Sequence, residues 1–85
     1  MYSLDLKYYC DSYKLSFPDF NTVIEPAGYR SIVSWYNREI CSGLNFEDEE
    51  HAIVSSITSL FNWLSYEKNF IEIMKIQKDH ISIDK

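Results

Sequence analysis

Apolar and polar positions alternate with a period of two at the start of the chain. Over residues 2–10 the even positions Tyr2, Leu4, Leu6, Tyr8 and Cys10 are apolar, with Ser3, Asp5 and Lys7 between them. The alternation then resumes in the opposite phase on Tyr13, Leu15 and Phe17. A tyrosine-rich period of two is the pattern of half-buried strands. The phase change at Asp11 and Ser12 marks a turn, so the pattern predicts a β-hairpin over residues 2–17 that stops at Pro18. The same residues carry a rival pattern, since Leu6, Tyr9, Cys10, Tyr13 and Phe17 also share one helical face.

Residues 18–27 hold both prolines and predict an ordered loop. Between Gly28 and Ser42 the stripe Tyr29, Ile32, Val33, Tyr36 and Ile40 follows the helical period, with Gly43 as its stop. A second helix is predicted from Asn45. Asn45 would be its cap, with Asp48 at the third position in the manner of a capping box. Its buried stripe would be Ile53, Ile57, Leu60, Phe61 and Leu64, with Val54 at the edge. Near the C-terminus, isoleucines at spacing two flank the polar residues 77–80. This predicts a second hairpin, strand 70–76 with strand 80–84. The expected fold is therefore α+β: an antiparallel sheet from N- and C-terminal hairpins covered by two helices, in the order ββααββ. An all-α small bundle is the alternative. The 85 residues are expected to form a single domain, 1–85.

Composition supports a packed core, with 46% hydrophobic and 16% aromatic residues and only two glycines and two prolines. Charge changes the picture more. The net charge is −5, and Glu47, Asp48, Glu49 and Glu50 are consecutive acids. Residues 1–50 carry nine acids and four bases, whereas residues 51–85 carry four of each, so the chain is acidic in one place only. The sign is wrong for a phosphate backbone or an anionic membrane surface, so neither nucleic acid nor membrane is an expected partner. After the acids comes a run from His51 to Tyr66 without Asp, Glu, Lys or Arg. The face of the second helix away from its stripe offers Ser55, Ser56, Ser59 and Asn62, small neutral residues that suggest a packed face.

Catalytic constellations are sparse. Glu47 and His51, with Asp48, are the nearest approach to a metal set, and they lack the paired His or Cys of ordinary zinc sites. Cys10 and Cys41 form no CxxC pair and fall on or beside apolar patterns, where a free cysteine is usually a small hydrophobe. No phosphate loop or nucleophile elbow occurs. No catalytic residue, metal or cofactor is assigned, and the chain is expected not to be an enzyme. The N-terminus lacks a basic segment followed by an apolar run, so a cytoplasmic location is expected.

What remains is a small acidic protein-binding inhibitor. An immunity or antitoxin type that blocks the groove of a basic partner such as a bacterial nuclease toxin fits the charge. A phage-type host-factor inhibitor or a homodimeric assembly subunit are the alternatives. Glu47, Asp48, Glu49 and Glu50 would supply the charge of the partner-binding site. Trp35, Tyr36 and Trp63 would supply its aromatic anchors.

Overall fold

The middle of the chain, not its ends, supplies the sheet. A computed structural model describes residues 2–83, and the side-chain surroundings of residues 4–79. Helix α1 (Tyr2–Tyr13) is followed by strands β1 (Asp19–Glu25), β2 (Gly28–Trp35) and β3 (Arg38–Ser42), then helices α2 (Glu49–Leu64) and α3 (Glu67–Ile83). The strands form one antiparallel sheet in sequence order, β1-β2-β3. The class is thus α+β and not an all-α bundle, but the order is αβββαα rather than ββααββ. Asp84 of the predicted last strand lies outside the described residues.

The N-terminal hairpin is corrected to a helix because its alternation counts residues that are not inside. Leu6 and Cys10 are buried, whereas Leu4 and Tyr8 are 66% and 76% exposed. Of the rival stripe, Leu6, Tyr9, Cys10 and Tyr13 share a face of α1, whereas Phe17 lies beyond the helix and is half exposed. Lys14 ends α1 in the left-handed conformation, φ 58°. Its N–H reaches the Asp11 carbonyl at 3.3 Å, and the Leu15 N–H reaches that of Cys10 at 2.8 Å. This is a Schellman ending with the buried Leu15 as its apolar seal. It is built on lysine where glycine is usual, so the sequence gives no stop signal there.

The predicted loop 18–27 is strand β1 plus a tight turn, Pro26 and Ala27, closed by the Glu25–Gly28 pair. Residues 28–42 are a hairpin rather than a helix. Ser31, Val33 and Trp35 are buried alternately along β2, the period of a strand. Tyr36 and Asn37 connect the strands with φ of 52° and 62°. Two positive φ values in a two-residue loop fit the twist of a hairpin, although glycine is absent. A bulge after Val33 adds a residue to β3.

Helix α2 is where the sequence places it, with a shifted cap. Asp48 is the N-cap, and its carboxylate accepts the His51 N–H at 2.8 Å. Asn45 instead donates to Glu25. The C-terminal hairpin is corrected to α3, where Ile73 and Gln77 are buried on one face and Ile71 is 57% exposed. The isoleucines favour strands locally, but burial of a helical face decides the outcome.

Helix α2 packs across all three strands, and α1 and α3 pack against α2. Leu6, Val33, Leu60 and Ile73 are wholly buried in the shared core. Each contributes about 1.5–3 kcal/mol by leaving water. The small residues of α2 mark the closest helix–sheet approach. Ser56 Oγ donates to Ser31 Oγ at 3.0 Å, and Ser55 Oγ accepts the Leu44 N–H at 2.9 Å. A Cβ on Gly43 would lie 2.6 Å from the Ser56 nitrogen. Ser56 and Ser55 of the neutral face thus meet the protein's own sheet and the residues just after it, whereas Asn62 is exposed.

Candidate functional site

The acid run sits at one corner, where the chain leaves the sheet and enters α2. Phe46 rejoins β2 beside Tyr29: the Tyr29 N–H donates to the Phe46 carbonyl at 2.8 Å, and the reverse bond is 2.9 Å. Gly28, with φ 126°, allows this approach, because a Cβ there would overlap the Phe46 carbonyl oxygen. On the far face of the sheet, Arg30 donates two bonds to Glu25, at 3.0 and 2.9 Å, and a third to Ser42. Asn45 donates to the same Glu25 carboxylate at 2.8 Å. The guanidinium pulls Glu25 down to about 2, so this clamp is charged at neutral pH. It fixes the residues that carry Phe46 and the acids.

Glu47, Asp48, Glu49 and Glu50 are all exposed. Asp48 also meets the His51 Nδ1 at 2.6 Å. The His51 backbone N–H, and then its ring, hold the Asp48 carboxyl below the usual carboxylate range. The Asp48 hydrogen bond in turn raises His51. Among the described residues, no lysine or arginine pairs with any of the four acids. Their field is open to solvent, and the dipole of α2 favours them there.

Strand register adds an apolar row beside them. Ile24 stands opposite Tyr29 in the β1–β2 ladder, and Phe46 stands opposite Tyr29 on its other side. Residues directly opposite each other point to one face. Tyr29 shares its face with Ser31 and Val33, so the row Ile24–Tyr29–Phe46 lies on the α2 side. Ile24 is 80% exposed and Leu44, two residues before Phe46, is 72% exposed. The Phe46 ring lies 6.1 Å from the His51 ring. Sequence reasoning missed Ile24, Leu44 and Phe46. Phe46 immediately precedes the acids, but Ile24 joins it only through a strand register hidden by the loop reading.

The aromatic anchors named from sequence lie elsewhere. Trp35 is 1% exposed, and its indole N–H donates to the Ser16 carbonyl at 2.6 Å. Tyr36 stacks on Trp35, and its hydroxyl accepts the Ser16 N–H at 2.8 Å. These two tie the α1–β1 connection to the sheet. Trp63 is half-buried against the core. Trp35 lies six strand residues beyond Tyr29, about 20 Å. Trp63 is fourteen helical residues beyond Glu49, about 21 Å. The structure therefore brings the four acids together and places all three aromatics toward the other end.

Burial pushes the thiols of both Cys10 and Cys41 up to about 11, and both cysteines are free. Among the described residues, no group of three or more His, Cys, Asp or Glu side chains is arranged to hold a metal. No described helix is long and apolar enough to cross a membrane. Comparisons with protein-family models, with curated proteins and with solved structures give no match.

Proposed function

We propose that the chain is a non-enzymatic, protein-binding inhibitor of the immunity or antitoxin type, acting in the cytoplasm on a basic partner such as a nuclease toxin. The observation that carries the reading is the run Glu47–Glu50: four adjacent carboxylates, all exposed and none neutralised by a lysine or arginine among the described residues. Exposed like charges at one corner repel each other, and a helix start needs fewer of them. A cationic groove would relieve that repulsion and be drawn in from a distance. Ile24, Leu44 and Phe46 supply apolar contact at the same corner, in place of the tryptophans.

The test is capture from native cells with the wild-type chain and with a variant carrying Glu47→Gln, Asp48→Asn, Glu49→Gln and Glu50→Gln. These changes keep the shapes, and asparagine still caps the helix. The expected result is a basic protein retained by wild type and lost both from the folded variant and at raised salt. Adding the wild-type chain should then inhibit that protein's activity. Equal capture by both chains, or capture without inhibition, would refute the reading.

A further inference from the structure

Helix α1 turns a second surface outward, far in character from the acidic corner. Asp5, Tyr8, Tyr9, Ser12 and Tyr13 line a groove of about 310 Å3 along its flank. The groove is open to solvent, so it would hold the head of a ligand and not enclose a whole molecule. On one side stand Tyr9 and Tyr13, whose ring centroids are 4.9 Å apart with planes inclined at 51°. Both are fixed from behind: Tyr9 meets Phe61 edge to face at 6.0 Å, and Tyr13 meets Phe70 at 5.1 Å. Tyr8 is 76% exposed on the other side. Residues 5, 8, 9, 12 and 13 follow the helical period, so the groove is a product of sequence spacing.

The charge within the groove has one sign. Asp5 makes no ion pair with any described residue, and Lys7, two helical residues on and turned to the other side, pairs with Asp11 at 3.4 Å. Burial raises the Tyr9 hydroxyl above its ordinary value, so its ring is neutral around pH 7. Neutral phenol rings attract cations over their faces, and an adjacent carboxylate adds to the attraction. A tertiary or quaternary ammonium suits such surroundings best. The quaternary form is weakly hydrated, spreads its charge over methyl groups and has no N–H to satisfy, whereas the tertiary form would direct its single N–H to the Asp5 carboxylate.

We infer that the Asp5–Tyr8–Tyr9–Tyr13 groove of α1 binds a free small molecule bearing an alkylammonium head. This site is independent of the acidic corner, and its success or failure leaves the inhibitor reading untouched.

The probe is choline, compared at matched ionic strength with neohexyl alcohol, its uncharged carbon isostere. Titration is followed on the amide and ring resonances of Tyr8, Tyr9 and Tyr13. The expected result is saturable shifts at these tyrosines with choline in the millimolar range, and none with the alcohol. Asp5→Asn and Tyr8→Ala should each weaken choline by about three- to tenfold. Both side chains are exposed, so the rest of the spectrum should stay in place as evidence of folding. Equal shifts with the alcohol, shifts insensitive to both substitutions, or no saturable shift would overturn the inference. A blocked trimethyl-lysine that binds more tightly than choline would also overturn it, by moving the ammonium onto a protein chain.

Discussion

Trp35 shows how far a single side chain's role depends on its surroundings. By type it is an interface anchor, yet it is 1% exposed and bonded through its indole to Ser16. Trp35→Ala is therefore expected to cost about 3–5 kcal/mol of stability in chemical denaturation, because it opens a large core cavity. A partner-binding role would instead spare stability. Gly28 makes a complementary case. Gly28→Ala would meet both a positive φ and the Phe46 carbonyl, and should lower the unfolding midpoint while detaching Phe46 from Tyr29. Loss of the Tyr29 and Phe46 amide protection in hydrogen exchange would report that detachment. The acids were legible at this scale because charge is written directly in the sequence. The neighbours Ile24 and Leu44 were not, since exposure is a property of the fold.

At the scale of elements, α2 alone was legible as a helix in its place, through its stripe and acidic start, although its cap is Asp48 and not Asn45. Helix α1 carried a helical face beside its period of two, but neither its end nor the turn between β2 and β3 carried the usual glycine. Tyr36 and Asn37 make a hairpin turn without glycine, and Lys14 ends a helix without glycine. Both glycines of the chain are used where backbones approach closely. Lys14→Gly tests this directly. The residue already sits in a conformation that costs a side-chain-bearing residue about 1–2 kcal/mol. Its carbonyl, which accepts from Gln77 at 3.0 Å, would be retained. The substitution should raise stability by about 0.5–1 kcal/mol in equilibrium unfolding, unlike most changes from lysine to glycine. The period of two in residues 2–10 misled for a related reason. Tyrosine tolerates both water and burial, so a row of tyrosines fits two periodicities until the core selects one.

For the whole molecule, pH reaches the fold through the corner clamp. Glu25 is held near about 2 when folded, against about 4.3 in an unfolded chain. Its contribution is present above the unfolded value and is lost as pH falls from about 5 toward about 2. His51 works in the opposite sense: its raised value stabilises the fold at low pH and ceases to do so as pH climbs through it. Melting temperatures recorded against pH should fall on the acid side for wild type and fall less steeply for Glu25→Gln. His51→Gln should remove the loss on the neutral side. The order of strands carries a consequence in time. β1, β2 and β3 are neighbours both in the chain and in the sheet, and the most distant residues paired between these three strands are Asp19 and Ser34. Small loops close before large ones, so the strand meander with α2 should assemble first. The ends meet late, through contacts such as that of Gln77 with Lys14. In stopped-flow chevrons, Asn37→Gly should then quicken refolding, whereas Leu6→Ala and Ile73→Val should mainly quicken unfolding. Slowed refolding in the Leu6 and Ile73 variants would instead place the two ends of the chain in the nucleus.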